Sequence, residues 1–438
     1  MHLGLAIWSV YKKGGLERSG VNWANAMAAR GHLVTIFYKS QNKGPHQSAY
    51  PLSEGVTLQA LNLHNDTDDG TLIRNQFEQC GLDVFVVFTS ARSLLWFVRA
   101  LHPTGIPLII SERNSPVLIN EERWNAYERH ACLYGADCIH TLLPCFVKDY
   151  PEFLQHKLVV IPNIAPHYDN TEHIPSASGR KILLGVGRLE DDVKQFHLLI
   201  KAFSSIAGDF PEWDLVIYGT GKLQNGLKKL ASSLGLAGRA KLPGVYSNLA
   251  KCYGRGNLVC IPSRYEGHPN VPMEAHLFSL PVVGFAECPG VNEVVIHGEN
   301  GILAPEMTAE ALAPALATLM ADEELRTKMG ARGRELLSRY DASSIYDAWE
   351  YLLNDISKLK NRTTLQKYSS NLSQEILADI GLKEILHRKG PLVRCNNNEL
   401  VALKKQLNTL KQRMKDKRLP WYRKLITTIK KRLTKMTA

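Results

Sequence analysis

Short apolar runs alternate with amphipathic stretches over most of this chain, and they do so in two successive sets. Strands buried on both faces read as continuous apolar runs, and parallel strands need a crossover segment, usually a helix, between them. The alternation therefore restricts the chain to doubly wound α/β domains, two of them, and excludes all-α and all-β folds. In the first set we read strands near residues 3–9, 33–38, 84–89, 107–111, 138–142 and 158–161, with helices near 17–30, 91–101, 121–134 and 145–150. In the second, the strands are Ile182–Val186, Leu215–Tyr218, Leu258–Pro262 and Pro281–Gly284, separated by helices near 195–207, 222–234, 246–254 and 271–279. Three further helical stretches follow, near 308–321, 323–338 and 341–357.

Between the sets, residues 164–180 carry prolines and turn formers without periodicity, which marks a linker. The expected organisation is a first domain at 1–164, a linker at 165–180, a second domain at 181–340, a closing helix at 341–357 and a tail at 358–438. In open α/β sheets ligands bind beyond the carboxyl ends of the strands, so two such domains facing each other leave a cleft for them.

The net charge of +11 invites a nucleic-acid reading until it is divided along the chain. Residues 1–357 hold 32 basic and 37 acidic groups, whereas 358–438 hold 21 and 5. The body is slightly acidic and the basicity belongs to the tail, so no nucleic-acid partner is expected for the body. The eight cysteines form no CxxC pair and several sit in apolar runs, as reduced thiols of a cytoplasmic protein would. Met1–Trp8 reads as a first strand and not as a signal peptide, and no apolar stretch is long enough to span a bilayer.

Neither set carries the dinucleotide fingerprint. Gly185-Val186-Gly187 and Gly219-Thr220-Gly221 each follow a strand, but Glu190 and Gln224 stand where a third glycine belongs, so hydride transfer is disfavoured and phosphate binding is not. The richest stretch is 261–275, "IPSRYEGHPNVPMEA", between a buried strand and a helix. Glu266 lies in its loop and Glu274 in the helix's first turns. Gly267 permits an unusual turn, and the amides around His268, Asn270 and Val271 can face an anion beyond the helix N-terminus. A carboxylate further in can accept both hydroxyls of a sugar diol. A plain strand-turn-helix with a charged start would give the same spacing.

Residues 261–301 resemble the donor-binding segment of glycosyltransferase family 4, retaining enzymes of the GT-B fold. Other blocks match in order: Gly14-Gly15 after the first strand, Arg30-Gly31-His32-Leu33-Val34 before the second, Val159-Val160-Ile161-Pro162-Asn163 at the end of the first domain, and 185–203 opening the second. The resemblance covers about residues 1–357. It implies two Rossmann-like domains, an acceptor side at 1–164 and a nucleotide-sugar side at 181–340. It further implies that Arg188 and Lys194 grip the donor diphosphate, that Glu266 contacts the transferred sugar, and that Glu274 holds the ribose. Gly15 would let backbone approach the β-phosphate, and the amides from Gly267 to Val271, those of His268 and Asn270 included, would bind the sugar or its phosphate. Arg188 and Lys194 also fit a solvated strand end, and Gly15 a simple turn.

The sequence departs from the family pattern twice. Lys194 lies six residues after Arg188, not five, and Gln195 follows it where many members have glycine. The strand at 107–111 leads into Ser111-Glu112-Arg113-Asn114 where many members have an acceptor-side histidine, and a structural ion pair is the expected role of both Glu112 and Arg113. No metal or other cofactor is expected, since fixed cations and a helix N-terminus can stabilise the leaving diphosphate. Asp66-Thr67-Asp68 imitates a metal-binding pair but sits in a polar loop, and Asp191-Asp192 reads as a solvated turn.

In the tail, Leu400, Leu403, Leu407, Leu410 and Met414 form a short heptad seam. After Pro420, Trp421, Tyr422, Leu425, Ile426, Ile429, Leu433 and Met436 share one face of a helix, with Arg423, Lys424, Lys430, Lys431 and Lys435 outside it. Such a helix suits an anionic membrane surface, and a solvated or RNA-adhesive tail would have the same charge. The expected function is transfer of a hexose or N-acetylhexosamine from a nucleotide diphosphate sugar to a lipid-linked glycan for surface polysaccharide, at the cytoplasmic face of the membrane. A GT-B epimerase or phosphorylase, or a non-catalytic nucleotide-sugar-binding subunit, are the alternatives.

Overall fold

The computed structural model describes residues 1–361 except 13, 40–46, 62–70, 89–92, 121–125, 169–170, 172–173, 175–178 and 246–247. Its first sheet holds β1 (His2–Ile7), β2 (Leu33–Lys39), β3 (Val56–Leu61), β4 (Val84–Phe88), β5 (Leu108–Ser111), β6 (Cys138–Thr141) and β7 (Leu158–Val160). These strands are parallel in the order β3-β2-β1-β4-β5-β6-β7. The helices of this half are α1 (Gly15–Ala29), α2 (Thr71–Gln79), α3 (Leu94–Leu101), α4 (Pro116–Leu118), α5 (Ala126–Tyr134) and α6 (Glu152–Gln155).

The second sheet contains β8 (Lys181–Val186), β9 (Trp213–Tyr218), β10 (Ala240–Gly244), β11 (Leu258–Ile261), β12 (Val282–Phe285) and β13 (Gly301–Ala304), parallel in the order β10-β9-β8-β11-β12-β13. Its helices are α7 (Phe196–Ile206), α8 (Gln224–Ser233), α9 (Leu249–Gly254), α10 (Asn270–Leu277), α11 (Val291–Val294), α12 (Ala309–Ala321) and α13 (Glu323–Leu336). Both sheets reverse their winding beside the first strand, between β1 and β4 and between β8 and β11. The loops leaving β1, β8 and β11 therefore sit at topological switch points, where this architecture binds ligands.

The central strands follow from composition. All five residues of β4, Val-Phe-Val-Val-Phe, are buried, because helices cover both faces of the sheet. Phe77 of α2 packs on Phe85 at 4.6 Å and edge-on to Phe37 at 5.0 Å. A last helix, α14 (Ala342–Ser357), leaves the second domain and returns to the first. Its Trp349 meets Trp23 edge-on at 5.6 Å, and Ile345 and Leu353 are buried with it. Each such buried side chain contributes roughly 1.5–3 kcal/mol, so α14 straps the two halves together.

Edge elements escaped the sequence reading. Strands β3, β10 and β13 and helix α2 were not expected. β10 carries Pro243, which edge strands tolerate, and β13 is four residues long. The helix expected near 145–150 is a 3-10 turn at Pro144–Asp149. Residues 362–438, with the heptad seam and the amphipathic segment, lie outside the described residues, as does Asp66-Thr67-Asp68.

Candidate functional site

The loop after β8 is held by backbone on both sides. Leu189 donates its N–H to Thr220 O and accepts at its carbonyl from Leu223 N, both at 2.9 Å. A Cβ at Gly219 would stand 1.8 Å from Gly187 O, so the second Gly-x-Gly serves this close approach. Arg188 projects from the clamped loop, exposed and without an ion pair among the described residues. The extra residue before Lys194 is absorbed by a 3-10 turn, Asp192–Lys194, capped by Asp191, whose Oδ1 accepts the Val193 N–H at 3.3 Å. Asp192 pairs with His197 at 3.0 Å. Gln195 then takes the left-handed conformation, φ 42° and ψ 36°, which glycine would adopt without strain. The local path is thus the glycine path with a glutamine in it.

That path brings Lys194 to Glu266. Lys194 Nζ lies 2.5 Å from Glu266 Oε1, and Ser263 Oγ donates to the same oxygen at 2.7 Å. Gly267 is compressed between domains. A Cβ there would lie 2.6 Å from Arg113 O, and one on Gly290, at φ +91°, would lie 2.6 Å from Gly267 O. The Glu266–Gly267 loop therefore touches the end of β5 because neither glycine has a side chain. On the first domain, Gly15 opens α1 and faces Asn270 at the start of α10. A Cβ on Gly15 would meet nothing closer than Asn270 Nδ2 at 3.7 Å.

Glu274 is 3 % exposed and has three donors among the described residues. Arg18 Nη2 reaches Oε1 at 2.8 Å from α1, across the cleft, and Tyr168 adds a bond to Oε1 at 3.3 Å. Tyr253 donates to Oε2 at 2.8 Å. Burial opposes the Arg18 charge, but Glu274 outweighs it and holds the guanidinium protonated beyond its ordinary range. The sequence reading missed Arg18, whose only signal is its place one turn after Gly14-Gly15.

The side chain of His268 turns away from the cleft. Its Nδ1 accepts the Asn163 N–H at 2.9 Å, its carbonyl accepts from Asn163 Nδ2 at 2.9 Å, and the ring packs on Tyr340. Burial, with the Arg113 charge second, lowers its pKa to about 3. Its backbone remains in the loop, whereas its imidazole ties the end of the first domain to the second. Val271 packs on the core of the second domain. The structure thus brings together Lys194 with Glu266, and Gly15 with Asn270, while Glu274 is drawn to Arg18. Two hollows adjoin these groups. One, of about 320 Å³, is lined by Lys194, Asp191 and Phe196 in the second domain. The other, of about 230 Å³, lies between domains, with Arg18, Arg113 and Asn270 in its wall.

Glu112 has the expected structural role, but its partner is Arg129, which meets both carboxylate oxygens in the core, with Tyr150 donating to Oε2 at 2.7 Å. Arg113, also expected in an ion pair, has no carboxylate partner among the described residues.

Comparison with known proteins follows the same division. Residues 169–336 match the model of the glycosyl transferases group 1. An uncharacterized glycosyltransferase of Haemophilus influenzae is 27% identical over 358 residues, 80% of this chain and 99% of its own length. A Campylobacter jejuni enzyme named GalNAc-alpha-(1->4)-GalNAc-alpha-(1->3)-diNAcBac-PP-undecaprenol alpha-1,4-N-acetyl-D-galactosaminyltransferase is 22% identical, over 80% of this chain and 98% of its own. Among solved structures, Anabaena HepE in complex with UDP and glucose superposes with a TM-score of 0.65 at 18% identity, covering 80% of this chain and 99% of that one. The chain thus has the GT-B fold, and its residues 169–336 resemble the glycosyl transferases group 1.

Proposed function

We propose that this chain is a retaining glycosyltransferase of family 4 that moves a hexose or N-acetylhexosamine from a nucleotide diphosphate sugar to a lipid-linked glycan. The observation that carries the reading is the Lys194–Glu266 pair at the switch point of the second sheet, with Arg188, exposed and without an ion pair among the described residues, on the same loop. As the bond to the anomeric carbon breaks, negative charge develops on the leaving diphosphate. Arg188, Lys194 and the amides at the start of α10 are fixed positive groups that favour that charge more than the ground state, which is what lowers a barrier. Glu266 orients the Lys194 ammonium and offers its second oxygen to a sugar hydroxyl. The acceptor attacks from the face the diphosphate leaves, and the leaving phosphate takes its proton. No metal enters these steps.

The lipid-linked acceptor is supported by the undecaprenol in the Campylobacter relative's name and by the basic, amphipathic sequence after Pro420. Among the described residues no helix is long and apolar enough to cross a membrane. In this reading the basic tail makes a peripheral contact at the cytoplasmic face. The test is release of nucleoside diphosphate from a panel of UDP- and GDP-sugars with lipid-linked acceptor present. Glu266→Gln should lower kcat at least about 100-fold, the scale of losing a transition-state electrostatic contact, while keeping the wild-type Tm. Full turnover by that variant would refute the assignment, and donor binding without acceptor-dependent release would mark a binding subunit instead.

A further inference from the structure

Arg113 leaves the end of β5 and enters the hollow between the domains. Its Nη2 donates to Asn163 Oδ1, and its Cζ lies 4.6 Å from the centre of the Phe88 ring. No carboxylate among the described residues is paired with it. The contrast with the neighbouring position is direct: Glu112 satisfies Arg129 in full, whereas the next residue along the chain carries a charge that no described carboxylate neutralises. Burial lowers the Arg113 pKa to about 10. The same charge, after burial, helps keep two adjacent imidazoles neutral, those of His140 and His268, both at about 3.

Leaving a half-buried cation without a counter-ion is unfavourable, and an apolar side chain of similar volume would fill this place at less cost. The hollow is about 230 Å³ and has Arg18, Asn163, Asn270, Trp23 and Trp349 in its wall beside Arg113. Arg18 is neutralised by Glu274. The balance of charge facing the hollow is therefore positive and belongs to Arg113, whose planar fork matches an oxyanion. The walls add amide donors and indole faces and, among the described residues, no carboxylate.

We propose that this hollow is an oxyanion site in which Arg113 takes a phosphate group bridging the two domains. The phosphate comes either from the nucleotide donor, whose expected approach past Gly15 and Asn270 borders the hollow, or from a separate phosphate such as the acceptor's. Naming those sources rests on the transferase reading; the site itself does not.

Trp23 and Trp349 report on occupancy. The full chain is titrated with inorganic phosphate at constant ionic strength, followed by tryptophan fluorescence, and the titration is repeated with saturating UDP. Wild type should show a saturable change that weakens at least tenfold in Arg113→Met and less in Arg113→Lys. If UDP abolishes the phosphate response, the donor supplies the phosphate; if UDP leaves it intact, the phosphate is a separate one. In phosphate-free buffer Arg113→Met should melt at or above the wild-type temperature, because it removes an uncompensated charge. A phosphate response unchanged in Arg113→Met, or none in wild type, overturns the proposal. So does a lowered Tm with unchanged phosphate affinity, which is the mark of a structural arginine. Acceptor-dependent turnover with no phosphate response would sink this site and leave the transferase reading standing.

Discussion

Four histidines make the stability of this fold steeply dependent on pH. Burial lowers His130 and His276 to about 4 and His140 and His268 to about 3, with neighbouring arginines adding to burial at His130, His140 and His268. In the unfolded chain each titrates near 6.5. Between the folded and unfolded values the unfolded state binds more protons, so stability falls as pH drops. From pH 7 to pH 5 the folded imidazoles stay neutral, and each costs about 2 kcal/mol by this linkage. Together they remove roughly 7–8 kcal/mol, a large share of the ~5–15 kcal/mol typical of a folded protein. Urea unfolding at pH 8, 7, 6 and 5, read by far-UV circular dichroism and by tryptophan fluorescence, measures the slope. His130 and His140 belong to the first domain and His268 and His276 to the second, so both halves should weaken. A loss of less than about 2 kcal/mol between pH 7 and 5, the share of a single imidazole, would refute the reasoning.

Gln195→Gly should raise stability by about 0.5–1 kcal/mol in thermal melts, the left-handed strain relieved less the entropy glycine adds; its side-chain oxygen is also buried without a partner among the described residues. Gly15→Ala should keep the wild-type Tm, since nothing lies within 3.7 Å of the added methyl, yet weaken UDP binding by calorimetry if the backbone approaches a phosphate there. Gly267→Ala, by contrast, drives a methyl into Arg113 backbone and should cost about 1–3 kcal/mol as the domains are pushed apart. Arg129→Met should cost about 3–5 kcal/mol in urea unfolding, because it strands the Glu112 carboxylate in the core.

What the sequence made legible is what burial and turn chemistry write locally. The central strands of both sheets are apolar throughout, so they stand out; β3 alternates along a half-covered edge and β10 holds a proline, so they do not. Motif resemblance marks Lys194 and Glu266 as site residues, and the structure joins them directly. The pairing of charges was beyond reach for a physical reason. Glu112 and Arg113 are adjacent, so on a strand end they point to opposite faces, and the partner of Glu112 comes from α5, seventeen residues on. Nothing local distinguishes the arginine that will be neutralised from the one that will not. The same holds for His268, whose role depends on Asn163 arriving from the far domain.

Glu274 presents a conflict that the two domains must resolve. A carboxylate has about four lone-pair sites. Arg18 and Tyr168 use two on Oε1 and Tyr253 one on Oε2, which leaves a single site, whereas a ribose diol needs two. Full engagement of a ribose at Glu274 therefore requires one present donor to leave. Tyr253 is wholly buried, and Arg18, with 28 % of its side chain exposed, is the donor that the opposite domain supplies. Donor binding and the Arg18–Glu274 bond should then oppose each other, so that an incoming nucleotide loosens the contact between the halves. Arg18→Met removes the competitor and should tighten UDP binding by calorimetry. It should also lower unliganded stability by about 2 kcal/mol, the scale of a lost charge-assisted hydrogen bond. Weaker UDP binding in that variant would mean that Arg18 helps to hold the nucleotide, and that the ribose lies elsewhere.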